Sequence, residues 1–195
     1  MTVGPRRPLR ATLIWAALGL ALAVPLLAAA ASPLLAWRGP VYIAAGFAGI
    51  VGLGFLLVQP LLMLRALPGL RGPRARHAHR AVGVALLVAV VLHVAGLWIT
   101  SPPDVIDALT FTSPTPFSPW GVVAMWAVFA TAAVAALRRR LPVRRWRLAH
   151  RALAVLIVTC SLVHALLIEG TMEPVSKAAL GVLALVATLL AVRRA

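Results

Sequence analysis

The amino-acid sequence predicts an all-α, polytopic membrane protein built as a bundle of six transmembrane helices. Of its 195 residues, 62% are hydrophobic and 12% are charged, whereas a soluble domain of this length carries about twice that share of charged residues. Six apolar stretches are long enough to cross a bilayer, which takes about 20 residues. They lie near residues 11–31, 41–64, 79–100, 119–137, 149–168 and 175–192.

The distribution of charge fits a multi-span protein better than a nucleic-acid-binding one. The formal net charge is +15, but seventeen of the nineteen basic residues lie before the first stretch, after the last, in the second and fourth connections, or at the very start of the stretches that follow those connections. If the spans alternate in direction, these residues share one side of the membrane. Because cytoplasmic loops retain Lys and Arg, both termini are predicted to be cytoplasmic, with anionic membrane lipid rather than nucleic acid as the partner of this charge. All four acidic residues fall on the other side: Asp104, Asp107, Glu169 and Glu173.

The first apolar stretch, residues 11–31, admits two interpretations. Its arginine-rich start, apolar core and small residues "AAAAS" could form a secretory signal with a cleavage site. However, the apolar run is longer than the core of a typical signal, and a six-span count with both ends inside agrees with the charge pattern. We therefore interpret residues 1–10 as a cytoplasmic N-terminus and residues 11–195 as one six-span domain.

Two other regions lead to structural expectations. Gly46, Gly49 and Gly52 recur at every third residue of the second stretch, which favours close approach of a neighbouring helix, with a flat ligand as the alternative. Residues 101–119 contain five prolines and are predicted to form a non-helical outer loop, either a plain connection or a surface that caps a ligand or docks an acceptor. Trp146 is expected to be an interfacial aromatic anchor.

The third and fifth stretches carry the same histidine pattern. The segments "HRAVGVALLVAVVLH" and "HRALAVLIVTCSLVH" begin at His79 and His150 and end at His93 and His164. Fourteen residues of α-helix bring the second ring within about 40° of the first and about 21 Å further along the axis. Since both stretches run in the same direction, the rings are predicted to pair at two depths, inner and outer. His77 points about 160° away from His93 and is expected at the cytoplasmic edge.

Paired histidines at two depths indicate a ligand clamped between two helices. An imidazole in lipid is costly without a partner, and such residues usually mark a function. Zinc needs four N, S or O ligands and a proton relay needs acids at membrane depth, and neither set is present. Haem iron needs only two axial nitrogens, and the porphyrin suits apolar walls. Two stacked bis-histidine haems explain the pattern, with a hydrogen bond to a carbonyl or serine as the alternative for any one histidine.

Residues beside the inner histidines suit the same ligand. Gly83 and Ala154, each four residues past an inner histidine, leave space for a flat macrocycle. Arg80 and Arg151 directly follow the inner histidines and could pair with haem propionates, although ordinary positive-inside charge explains them equally well. Cys160, the single cysteine, has no metal-binding spacing and is expected to be a small core residue.

At these residues the sequence resembles the ferric reductase-like transmembrane domain family. That family includes the membrane parts of ferric reductases and NADPH oxidases, and the haem subunit of the bacterial periplasmic methionine sulfoxide reductase system. The two histidine segments carry the resemblance, which is strongest over residues 41–192. It implies that His79 and His150 are the iron ligands of an inner haem b, and His93 and His164 those of an outer haem b.

The resemblance therefore predicts a b-type cytochrome subunit, an oxidoreductase component that transfers electrons across a bacterial plasma membrane. No flavin or nucleotide domain is expected in this chain, so a separate flavin reductase or a quinol would supply the electrons. The acceptor would be a periplasmic protein or a ferric chelate. Alternatives are the haem subunit of a periplasmic methionine sulfoxide reductase system, a stand-alone ferric-chelate reductase, and a transporter with structural histidines.

Overall fold

The fold was described from a computed structural model that covers residues 6–194. Residues 1–5 of the predicted N-terminal segment and Ala195 lie outside the described part. Within it there are seven α-helices and no strand. The helices are α1 (Arg6–Ala30), α2 (Pro40–Met63), α3 (Gly72–Thr100), α4 (Pro102–Leu109), α5 (Ser118–Ala136), α6 (Val143–Leu167) and α7 (Pro174–Arg194).

Six of these helices, all except α4, are long and apolar enough to cross a membrane. The predicted all-α, six-span fold class is therefore confirmed over the described residues. Many large apolar side chains, such as Leu27 and Leu148, point out of the bundle and are exposed. This is the expected arrangement when the solvent is lipid rather than water.

Two helices begin earlier than their apolar stretches. The apolar stretches begin near residues 79 and 149, but α3 starts at Gly72 and α6 at Val143. The added turns are rich in arginine, which is a good helix former, and α3 has a proline in its first turn, where proline is tolerated. As a result, His79 and His150 lie well inside their helices.

The prediction of a wholly non-helical segment over residues 101–119 was wrong, because α4 lies within it. Pro102 and Pro103 occupy the first positions of this helix, where the missing amide hydrogens cost nothing. Asp104 adds a negative charge in the first turn, which the helix dipole favours, and its carboxylate accepts a hydrogen bond from the Ser101 hydroxyl. The prolines therefore start a helix instead of preventing one.

The spans pack as two pairs joined by the last helix. α2 packs along α3, α5 packs along α6, and α7 packs against both α2 and α6. Close approach is visible at Gly96, where an added Cβ would lie 2.7 Å from the Ala45 Cβ. α3 and α6 are not a packed pair, so the two histidine-bearing helices flank a seam in the bundle.

The ends of the bundle differ in charge. Because successive spans reverse direction, the arginine-rich connections lie at one end, which we call the basic end, together with the C-terminal end of α7. The four acidic side chains lie in the connections at the opposite end, which we call the acidic end.

Candidate cofactor site

The first pair of histidines lies near the basic end. His79 and His150 each lie seven residues past the first residue of their helix, or about 10 Å along its axis. Their ring centroids are 6.2 Å apart and their planes meet at 65°. We call this pair the basic-end level. It bridges α3 and α6 where their backbones are not packed together, so the pairing predicted from the sequence is observed.

Two further side chains build the surroundings of the basic-end level. The indole of Trp146 stacks on the ring of His150, one helical turn away, with centroids 5.6 Å apart and planes at 18°. On the other side, Gln59 of α2 donates a hydrogen bond from Nε2 to the backbone carbonyl of His79, at 3.2 Å. Trp146 is thus a neighbour of the candidate site and not only the interfacial anchor that the sequence suggested.

The second pair lies towards the acidic end. The Nδ1 atom of His93 is 2.7 Å from the backbone carbonyl oxygen of Ala45, and that of His164 is 2.9 Å from the carbonyl oxygen of Phe117. A carbonyl oxygen can only accept a hydrogen bond, so each Nδ1 must carry the proton. The Nε2 atom of each ring then keeps a free lone pair, which is the form of imidazole that binds metal ions.

These two rings form what we call the acidic-end level. His93 lies on α3 and His164 on α6, the same two helices that carry the basic-end level. Each ring is hydrogen-bonded to a backbone carbonyl of a neighbouring segment: Ala45 in α2 for His93, and Phe117, the residue that precedes α5, for His164. Hydrogen bonds of this kind from the second ring nitrogen fix the tautomer and orientation of metal-ligating histidines.

Two glycines make room for the rings of the acidic-end level. A Cβ added at Gly49 would lie 3.0 Å from His93 Nδ1, and one added at Gly121 would lie 2.6 Å from His164 Nδ1. Each glycine therefore lets a helix backbone come up against an imidazole ring. The glycine spacing in α2 had indicated close helix approach, and Gly49 shows that the contact includes a histidine.

The other predicted site residues are placed less centrally. Gly83 faces α2, where an added Cβ would lie 3.1 Å from Gln59 Nε2, so it has a packing role, and its contact with a macrocycle stays a prediction. Arg80 is exposed, and Arg151 is partly buried at the edge of a surface groove. Cys160 is buried, as expected of a core residue. His77 is exposed in the second turn of α3.

Sequence reasoning missed four features of this site. Gln59 and Gly121 carry no pattern that distinguishes them from ordinary residues of a span. Trp146 had a signal, since it lies four residues before His150 and side chains at this spacing meet on one helix face. The carbonyl partners of the acidic-end level have no sequence signal, because every residue has a backbone carbonyl.

The fold and the site together define a class: a six-helix membrane protein with paired histidines at two depths between two of its spans. The family model described as ferric reductase like transmembrane component matches residues 46–161. The chain belongs to this family, which indicates a component of transmembrane electron transfer. The match includes His79, His93 and His150, while His164 lies three residues beyond its end.

The two remaining comparisons found nothing: no curated protein and no solved structure matches the chain. The roles of individual residues therefore rest on the geometry of this chain.

The residues present fit haem, the group that the family resemblance implies. At the basic-end level the Nδ1 atoms of both rings are buried without a hydrogen-bond partner, which is unusual for buried polar atoms. The centroid separation of 6.2 Å is close to the value of about 6 Å expected when one metal ion lies about 2 Å from a nitrogen of each ring. At the acidic-end level, the free Nε2 lone pairs provide the same kind of donor.

Proposed function

We propose that this chain is a b-type cytochrome subunit that carries electrons across a membrane. His79 and His150 would hold one haem, and His93 and His164 would hold a second. The observation that supports this proposal best is the pairing of imidazoles from α3 and α6 at two depths. One pair has its centroids 6.2 Å apart, and the other has each Nδ1 occupied by a backbone carbonyl.

Haem bound at both levels would supply the one-electron redox chemistry that an apolar bundle lacks. The protein supplies position and surroundings. The carbonyls of Ala45 and Phe117 orient the acidic-end rings, and the Trp146 indole packs on His150. All four rings are partly buried among apolar spans, and burial favours neutral imidazole, the form that binds metal ions.

The charge asymmetry supports a direction for the proposed transfer. Cytoplasmic loops retain arginine, so we propose that the basic end faces the cytoplasm of a bacterial cell and the acidic end faces the periplasm. The donor, a separate flavin reductase or a membrane quinol, would act near His79 and His150. The acceptor would act near His93 and His164, where a periplasmic methionine sulfoxide reductase is one candidate.

The direct test is a reduced-minus-oxidised absorption spectrum of the purified full chain, with haem counted per polypeptide as the pyridine haemochrome. We expect two b-type haems for each chain. A preparation that folds as a helical membrane protein, from cells supplied with a haem precursor, yet contains no haem would overturn the proposal. A single haem would mean that only one level is a cofactor site.

A second candidate function is suggested by the name of the matched family: reduction of ferric chelates without a protein acceptor. Chemically reduced protein, mixed with a ferric chelate in a stopped-flow spectrometer, distinguishes the two. Oxidation of the protein at a rate that saturates with chelate concentration would favour the chelate as substrate. Slow, non-saturating oxidation would favour a protein acceptor.

A further inference from the structure

A groove on the surface of α6 carries three arginines and lies outside the histidine levels. It has a volume of about 580 Å³ and is lined by Val143, Arg144, Arg147, Leu148 and Arg151. The arginines recur at spacings of three and four residues, so their guanidinium groups share one face of the helix. The feature consists of side chains on this face, and it does not depend on the amides at the start of the helix.

The groove is cationic and has no acidic counterpart nearby. The acidic side chains of the chain, Asp104, Asp107, Glu169 and Glu173, all lie in acidic-end connections. Arg144 and Arg147 are exposed. Guanidinium groups form paired hydrogen bonds with phosphate oxygens, so the groove is suited to bind an anion that carries a phosphate.

The apolar part of the groove identifies the kind of anion. Val143 is 63% exposed and Leu148 is 70% exposed, and both line the groove beside the arginines. Leu148 lies where the arginine-rich turns of α6 give way to its apolar span, which is the depth of lipid headgroups. An anionic phospholipid presents a phosphate next to hydrocarbon at this depth, so it matches the groove.

We propose that the Arg144–Arg147 face of α6 is a specific binding site for one anionic phospholipid. The phosphate would be held by Arg144 and Arg147, with Arg151 at the deeper end of the groove, and the acyl chains would lie along Leu148. This proposal is independent of haem, because it needs neither histidine level. General attraction of the basic end to anionic membranes would involve many lipids at no fixed position. The proposal instead requires one lipid per chain, bound at one place.

The test is native mass spectrometry of the delipidated full chain, titrated with phosphatidylglycerol or with zwitterionic phosphatidylcholine. We expect the wild type to take up one phosphatidylglycerol and to take up phosphatidylcholine only weakly. Arg144→Gln/Arg147→Gln should weaken phosphatidylglycerol binding roughly 30-fold, and Arg147→Gln alone about fivefold, because each change removes a hydrogen bond to the phosphate worth about 1 kcal/mol. Both residues are exposed, so the fold should be unaffected.

The matched control is Arg138→Gln/Arg139→Gln, which removes the same charge from exposed residues of the connection that precedes α6, outside the groove. It should bind lipid as the wild type does. Equal losses in both double variants would overturn the proposal, because the binding would then reflect net charge alone. Binding of soluble glycerol phosphate with the affinity of the lipid would also overturn it, since the site would then recognise free phosphate.

Discussion

The ring of His93 is tied to the backbone of Ala45 by a hydrogen bond of 2.7 Å between Nδ1 and the carbonyl oxygen. This contact crosses from α3 to α2, one of the two packed helix pairs that make the bundle. It leaves only Nε2 for a metal ion, and His164 is arranged in the same way by Phe117. The acidic-end rings are therefore oriented by the packing of the fold itself.

Substitution of one histidine should remove the haem of its level and leave the other. His93→Ala and His164→Ala should each lower the haem content from two to about one per chain, and the remaining spectrum should be the same in both variants, because iron without its second axial nitrogen is held weakly. His79→Ala and His150→Ala should both lose the basic-end haem, and their spectra should both be that of the acidic-end haem alone.

The control for this series is His77→Ala, since His77 is exposed on α3 and should keep both haems. Pyridine haemochrome counting with low-temperature spectra provides the measurement. Different residual spectra for His93→Ala and His164→Ala would contradict the pairing.

Adding a methyl group at Gly121 should disturb the acidic-end level. The new Cβ would lie 2.6 Å from the His164 ring, and overpacking of this kind costs about 1–3 kcal/mol. We expect Gly121→Ala to lower the thermal midpoint and to reduce occupancy of one haem. Gly46→Ala is the matched control, because a Cβ there meets nothing within 4 Å. Equal behaviour of the two variants would show that Gly121 is not needed to seat the ring.

Much of this arrangement could be predicted from the sequence, because hydropathy and helical periodicity are strong signals. Hydropathy identified all six spans, and the fourteen-residue separation predicted that His79 would meet His150. The helix α4 was missed because proline was taken as a helix breaker, although it is well tolerated in a first turn. The partners of the acidic-end rings could not be predicted, because backbone carbonyls leave no trace in residue identity.

The stacking of Trp146 on His150 should tune the basic-end haem of the proposed cytochrome. Trp146→Phe keeps an aromatic face, while Trp146→Leu removes it, at a cost of about 0.5–1.5 kcal/mol for the lost aromatic pair. In Trp146→Leu we expect one of two low-spin electron paramagnetic resonance signals to shift, and in Trp146→Phe a smaller change. Trp126→Leu serves as control, because Trp126 is 57% exposed. Identical spectra in all three variants would rule out this role.

Lys177 should stabilise the connection between α6 and α7. It is 7% exposed, and its Nζ donates a hydrogen bond of 2.7 Å to the carbonyl oxygen of Ile168, just past the end of α6. Lys177→Met keeps the length of the side chain but leaves this carbonyl unpaired, which should cost about 1–3 kcal/mol. Thermal unfolding in detergent measures the loss. Arg38→Met, an exposed change at the same end, should have little effect, and a similar drop in both variants would refute the prediction.

Glu173 should make the start of α7 sensitive to acid. Its carboxylate accepts hydrogen bonds from the amides of Ser176, at 2.6 Å, and Val175, at 2.7 Å, and these bonds lower the pKa of the Glu173 side chain. Because the folded-state pKa is below the unfolded value of about 4.3, the cap is fully formed above that pH. It is lost as the pH falls through the lower folded value.

Hydrogen exchange reports on this cap directly. Protection factors of the Val175 and Ser176 amides should fall in acid for the wild type. In Glu173→Gln they should be lower at neutral pH and change little with acidity. Equal protection of these amides in the wild type and in Glu173→Gln at neutral pH would contradict the assignment.

The seam between α3 and α6 bears on how such a molecule would mature. Each of these helices packs along its own neighbour, so the bundle contains two hairpins, α2–α3 and α5–α6, that α7 joins, while α1 packs against α2 and α7. The proposed haem could then enter sideways from the bilayer by a slight parting of the hairpins, without disrupting either one. Membrane insertion of the polypeptide and delivery of the proposed haem would be separate events.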